Sequence, residues 1–191
     1  MTEIRPATDA DTGEIVRVRR ASWVAAYSGI IPAPIIERAT AGGGRAVSPP
    51  PWRRMLVAVS APPADAPPVS APPLPGEPRP VIGYAGFGPE RAILPPSPAP
   101  LTPAGLGGEV GELYALYVTP DWWSAGVGRS LMDAVLAALR ADGYQRAVLW
   151  VLEANARARR FYGKAGFRPD GAANEMPGLG GVVEVRYARD L

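Results

Sequence analysis

The chain of 191 residues contains no cysteine and no histidine. Without cysteine there is no disulfide, no thiolate nucleophile and no iron–sulfur cluster, and no cysteine–histidine zinc site can form. Without histidine the commonest general base is missing, which excludes Ser-His-Asp and Cys-His chemistry. Proton transfer then has to come from a carboxylate, a tyrosine, the lysine, a backbone group or bound water. Neither an apolar run of about 18 residues nor a basic-then-apolar leader occurs, so the expectation is a cytoplasmic chain without a membrane segment. Lysine is nearly absent too: of 20 basic residues only Lys164 is not arginine, and 18 acidic residues leave a net charge of +2. That balance lacks the basic stripe of a nucleic-acid binder, so no nucleic-acid partner is expected.

Proline is in excess and unevenly spread. Of 24 prolines, 18 lie between Pro49 and Pro103. Ser60 to Pro80 reads SAPPADAPPVSAPPLPGEPRP, and a second run from Leu94 to Pro100 leads into Gly105, Gly107 and Gly108. Proline fixes φ and removes a backbone donor, so neither run suits a helix or a central strand, and both have the composition of surface linkers. The expected organisation is one domain over 1–191 carrying flexible proline-rich inserts at about 61–80 and 95–108.

The remaining residues are patterned. Glu3 to Pro6 reads as a short strand, and Asp11 is placed to cap a helix reaching Tyr27. A second short helix fits residues 34–40. Met55–Val59 and Val81–Phe87 read as two strands of a hairpin whose tip is the first insert. Leu113–Val118 is apolar on both faces, and Ala147–Leu152 is a continuous apolar run, as in strands covered on both sides. Between them Leu131, Val135 and Leu139 form the buried stripe of a helix that Gly143 can end. Asn155 can cap a short helix ending before Gly166, and Val183, Val185 and Tyr187 alternate as a last strand. The strand–helix–strand–helix order in the second half predicts a mixed α/β sheet with helices on its faces. Its ligand belongs at the carboxyl end of the central strand, just past Val118.

There the sequence runs Thr119-Pro120-Asp121-Trp122-Trp123-Ser124-Ala125-Gly126-Val127-Gly128-Arg129. Backbone N–H groups at a helix N-terminus, unobstructed at Gly126 and Gly128, suit an anion, and Arg129 adds a cation. A plain tight strand–helix turn fits the same residues. No Gly-Lys-Ser/Thr and no Gly-x-Gly-x-x-Gly is present, which excludes the P-loop and dinucleotide fingerprints.

Past the buried strand the sequence reads Asn155-Ala156-Arg157-Ala158-Arg159-Arg160-Phe161-Tyr162-Gly163-Lys164-Ala165-Gly166-Phe167. With Gly126 and Gly128 upstream, this resembles the GCN5-related N-acetyltransferase (GNAT) superfamily, through Asn155, Ala158, Phe161, Tyr162, Gly166 and Phe167. The opening Ile4-Arg5-Pro6-Ala7-Thr8 and the spacing of Trp23, Tyr27, Gly29 and Pro32 look like the same family. The resemblance implies the GNAT acyl-CoA N-acyltransferase fold, with about six to seven strands and about four helices. It also implies a V-shaped splay between the strands near 113–118 and 147–152, with a bulge in the first.

The implied activity is transfer of an acetyl group from acetyl-CoA to a primary amine in a ternary complex, without a metal. The acceptor is a small-molecule amine or a peptide N-terminus, and a homodimer is the assembly the family commonly forms. The cofactor-binding residues implied are Leu116, Val118, Trp123, Ser124, Ala125, Gly126, Val127, Gly128, Arg129, Asn155, Ala158 and Tyr162. Tyr162 is also implied as the acid that protonates the departing thiolate, and Glu112 as the base. Trp23, Tyr27 and Tyr114 are candidate walls of the acceptor pocket, though Trp23 and Tyr27 also read as a core pair; Glu184, Glu109 and Asp121 compete with Glu112. One departure stands out: Trp123 occupies the position where the family has Gln or Arg. Two rival readings are a CoA-binding GNAT fold without transferase activity and an interaction protein that presents Pro72-Pro73-Leu74-Pro75.

Overall fold

The computed structural model describes residues 2–41, 53–60, 80–91 and 109–191. Apart from Pro80, the two proline-rich inserts expected from the sequence lie outside these residues, as does the Pro72–Pro75 segment. In chain order the elements are β1 (Thr2–Pro6), α1 (Thr12–Tyr27), α2 (Ala33–Ala41), β2 (Arg54–Ser60), β3 (Val81–Pro89) and β4 (Val110–Val118). They continue with α3 (Val127–Ala141), β5 (Arg146–Leu152), α4 (Ala156–Lys164), β6 (Arg168–Met176) and β7 (Val182–Asp190). The strands form one mixed sheet in the order β1-β2-β3-β4-β5-β7-β6. Only β4 and β5 pair in parallel; every other neighbour is antiparallel. Among the described residues no helix is long and apolar enough to cross a membrane.

Helices cover both faces of the sheet. On one face α3 buries Val127, Leu131, Met132, Val135, Leu136 and Leu139 against Phe87, Leu113, Leu149 and Phe167, and α4 adds Ala158, Phe161 and Tyr162 to the same cluster. These apolar positions follow the 3.6-residue period read from the sequence, which is why α3 lies flat on the strands. On the other face α1 buries Val18 against Val57, Val59, Val81 and Tyr84, while Ile36 of α2 packs with Ile31 and Leu152.

The central strand carries a bulge. Gly86 of β3 faces Ala115, but the next residue, Phe87, faces Leu113, so Tyr114 is an extra residue in β4. Side chains alternate along a strand, so one extra residue reverses the faces beyond it. Leu113 before the bulge and Leu116 and Val118 after it therefore share the α3 face, while Ala115 and Tyr117 turn to the α1 face. The same bulge limits pairing with β5. The parallel ladder covers only Val110–Leu113 against Arg146–Leu149. Beyond it β4 stays with β3 as far as Val118, β5 stays with β7 as far as Leu152, and the two separate.

Asp11 stands at the N-cap position of α1 as expected, yet its side chain makes no capping hydrogen bond to that helix. Its carboxylate instead accepts from the Arg5 guanidinium at 2.7 and 2.8 Å and from the Thr8 backbone N–H and hydroxyl at 2.8 and 2.9 Å. The Arg5 bonds, and secondarily those from Thr8, hold the Asp11 carboxyl down to about 2 against the opposing effect of burial. A depressed carboxyl stabilises the fold above its unfolded value, about 3.9, and that contribution is lost as pH falls towards 2. Urea midpoints of the native protein should therefore drop more steeply between pH 4 and pH 2 than those of Asp11→Asn. Parallel curves would remove Asp11 from the acid response.

Candidate functional site

The separation of β4 from β5 opens a cleft of about 1160 Å³ that passes through the sheet. Its floor is backbone. Thr119 donates its N–H to the Ile82 carbonyl at 2.9 Å, so alternation directs residues 117 and 119 at β3 and residues 116 and 118 across the gap. Strand β5 no longer supplies partners there, and unpaired backbone groups call for others. The Val118 carbonyl is met by the Ser22 hydroxyl at 2.9 Å and the Trp123 indole N–H at 2.8 Å.

On the α3 face the cleft ends at the loop leading into α3. Gly126, the N-cap of α3, has φ 86°, and Ser124 two residues earlier has φ 66°. Left-handed backbone is costly for a residue with a side chain, so Gly126 suits its place and Ser124 is strained there. Gly128 is different. A Cβ there would lie 3.5 Å from the Phe161 ring and 3.8 Å from Leu116, ordinary contact distances, so the protein itself leaves room for a side chain. The open space at Gly128 belongs to the cleft. Arg129, Arg157, Arg160 and Lys164 line this side. The Arg157 guanidinium stacks over the Trp123 ring at 3.7 Å. The aromatic that replaces the family's Gln or Arg thus carries a cation borrowed from α4.

On the α1 face the wall is aromatic. Trp23 and Tyr27, one turn apart on α1, meet edge to face with centroids 5.2 Å apart. The Trp23 indole donates to the Tyr117 hydroxyl at 3.0 Å, and the Tyr27 hydroxyl lies 3.4 Å from the same oxygen. Tyr162 reaches into this group from α4, and its hydroxyl makes no hydrogen bond among the described residues. Burial, with a lesser contribution from Tyr117, pushes the Tyr162 phenol well above its ordinary value. It stays protonated at any pH near neutrality.

Most residues expected from the sequence meet at this cleft: Leu116, Val118, Trp123, Ser124, Gly126, Gly128, Arg129, Asn155, Ala158 and Tyr162, with Trp23, Tyr27 and Tyr114, the expected acceptor-pocket candidates, on its wall too. Ala125 and Val127 are not on its wall, and the Val127 side chain is core. The Asn155 carbonyl oxygen is engaged in capping α4, accepting from the Ala158 N–H at 3.1 Å.

Glu112 is placed apart from the other residues expected at the site. Fully buried, it lies off the cleft wall, with one oxygen held by the Arg91 side chain at 2.6 and 2.7 Å and the other by the Arg91 N–H at 2.8 Å. Three of its lone-pair sites are thereby taken, all by Arg91. Glu184 is the carboxylate on the wall, and its described hydrogen bond is a long 3.3 Å contact from the Asn174 amide. Sequence reasoning did not single out Tyr117, Arg91 or Trp150. Spacing gave no signal for Tyr117, because the bulge sets its face.

The sequence model of the acetyltransferase (GNAT) family matches residues 71–167, just over half of the chain. A mycothiol acetyltransferase of Beutenbergia cavernae is 48% identical over 59 residues, 31% of this chain and 20% of that protein. An uncharacterized N-acetyltransferase of Archaeoglobus fulgidus is 38% identical over 60 residues, 31% of this chain and 41% of that one. The chain thus spans only a minor part of these curated relatives. In fold it is similar along its whole length to the PaiA N-acetyltransferase of Thermoplasma acidophilum in complex with coenzyme A. That match has a TM-score of 0.62 at 17% identity and covers 100% and 99% of the two chains. A GCN5-related N-acetyltransferase of Kribbella flavida gives a TM-score of 0.61 at 24% identity, over 100% and 98%.

The two glycines of the loop separate backbone strain from ligand space. Gly126→Ala should lower stability by about 1–2 kcal/mol through its left-handed φ. Gly128→Ala, at a helical position with room, should leave stability unchanged or slightly higher. Urea denaturation of both variants checks this; equal losses would mean that Gly128 also serves packing.

Proposed function

Since the chain belongs to the acetyltransferase (GNAT) family, we propose that it transfers the acetyl group of acetyl-CoA to a primary amine within one ternary complex. The observation that carries this reading is the parting of β4 and β5 directly ahead of a cationic helix N-terminus, with Tyr162 on the wall of the cleft. An extended amide-bearing arm fits beside β4, where the backbone of 116 and 118 lacks a strand partner. A pyrophosphate fits the N–H groups opening α3, aided by Arg129, Arg157, Arg160 and Lys164. The cleft passes through the sheet, so an amine can approach from the α1 face while the donor lies on the α3 face.

The thioester supplies an activated acetyl group. In the proposed reaction the amine nitrogen attacks the acetyl carbonyl carbon, a C–N bond forms and the C–S bond breaks. The Val118 N–H is placed to stabilise negative charge building on the carbonyl oxygen. Tyr162 presents its O–H to the departing sulfur, which ends as the free thiol. The proton shed by nitrogen leaves on the acceptor side, where Glu184 is the available carboxylate. The absence of cysteine removes the usual thiol carrier of a covalent acyl intermediate, which supports direct attack.

Thiol release from acetyl-CoA across a panel of amines tests the transferase reading; binding of CoA without turnover of any amine would leave only a CoA-binding fold. Tyr162→Phe should lower kcat by about 10²-fold. Because the Tyr162 phenol lies above its ordinary value of about 10, native kcat should show no alkaline decline between pH 7 and pH 10. A decline centred below pH 10 reassigns the proton donor. Of Glu184→Gln and Glu112→Gln, the first should cause the larger fall in kcat; the reverse order returns the base to Glu112.

A further inference from the structure

We propose, on the strength of the transferase reading, that the acceptor is a zwitterion: a free α-amino acid with an apolar side chain, its carboxylate held by Arg91 and its ammonium by Glu184. The α1 face of the cleft carries charge of both signs in an uneven arrangement. Arg91 is half-exposed on the wall and ion-paired with Glu112 through Nε and Nη2 at 2.7 and 2.6 Å. Its Nη1 has no partner among the described residues, so within them a planar donor fork is fixed on one edge and open on the other. Forks of this kind suit a carboxylate.

Arg53 lies over the same Tyr114 ring as Arg91, at 5.6 Å against 5.7 Å, and is in no ion pair among the described residues. Among the described residues Glu112 is the one carboxylate ion-paired with either of these guanidiniums, and Glu184 acts on Arg91 through charge alone, with no hydrogen bond between them. Alternation along β5 and β7 puts Trp150, Glu184 and Arg186 on this same face, and Arg186 is neutralised by Glu90 and Asp170 at 2.8 Å each. Glu184 is then the negative group available to an ammonium. The surface between is apolar, formed by Trp23, Ile30, Ile31 and Leu179. A polyamine would set a second cation against Arg53 and Arg91, and a peptide N-terminus has no adjacent carboxylate to offer them.

The test compares L-phenylalanine, L-phenylalaninamide, phenethylamine and spermidine as acceptors by thiol release. kcat/KM for phenylalanine should exceed that for the amide by about 10-fold or more, through KM, as expected for a charge-assisted hydrogen bond. The amide's amine is the less basic and more available of the two, so intrinsic reactivity favours the opposite order. Arg91→Lys keeps a cation against Glu112 but loses the fork; it should collapse the acid-over-amide preference. Equal use of acid and amide, or a preference that survives Arg91→Lys, overturns the proposal.

A second readout needs no turnover: calorimetric titration of N-acetyl-phenylalanine and its amide into the CoA-loaded protein. The acid should bind about 10-fold tighter; equal binding, or none of either, overturns the proposal. If no amine releases thiol, the transferase reading fails while this titration still decides the anion site. If all amines react alike, the transferase reading stands and the amino-acid assignment falls.

Discussion

Strands β4 and β5 run parallel for only four residues each, Val110–Leu113 beside Arg146–Leu149, before the extra residue at Tyr114 turns β4 away. Each strand keeps its outer neighbour, β3 or β7, so neither is lost from the sheet. What is lost is the ladder between them, and with it the partners of backbone groups that a sheet would otherwise satisfy. The cleft therefore has a polar, linear edge built into it before any side chain is considered. The helices follow from the same bulge. By restoring Leu116 and Val118 to the α3 face it closes the core over that helix, and by turning Tyr117 to the α1 face it gives Trp23 and Tyr27 their common partner.

The two faces of the opening differ in charge for different reasons. Around the start of α3 the helix dipole, open N–H groups and four cations act in one direction, so a polyanion is favoured there. The stack of Arg157 on Trp123 keeps a cation beside the loop, where a side chain from the loop itself would be the simpler solution. On the α1 face most charges are already spent on one another: Arg91 with Glu112, Arg186 with Glu90 and Asp170. In the proposed reading, selectivity on that side rests on the remainder, the partnered Arg91 fork and the loosely held Glu184, and not on total charge.

Much of this was legible in the sequence because it rests on local signals. The 3.6-residue stripe of α3, the apolar runs of β4 and β5, and the Asn155 cap produced elements whose positions the fold reproduces to within a few residues. The loop glycines and Tyr162 were found through their spacing and converge on the cleft. Non-local features were less accessible. Asp11 marked the helix start correctly, but its carboxylate turned out to serve Arg5 and Thr8, because a guanidinium from β1 competes better than the backbone N–H groups of the helix. Glu112 was placed on the right strand, but its partner Arg91 comes from beyond the end of β3, and no spacing within β4 announces that ion pair. A bulge likewise leaves no mark in an apolar stretch such as LYALYV, where either parity reads as buried on both faces.

The missing histidines bear on how such a reaction responds to pH. No side chain of this protein has an ordinary ionisation near neutrality. The Tyr162 phenol is moved further from that range by burial, so it is protonated throughout. In the proposed reaction the group that changes form with pH is the amine. Its neutral fraction sets the nucleophile concentration, so the rise of rate with pH follows the basicity of the acceptor. A site that holds an ammonium beside a carboxylate, as proposed, reacts through the neutral fraction of its acceptor, which ties the rate to the acceptor's own ionisation.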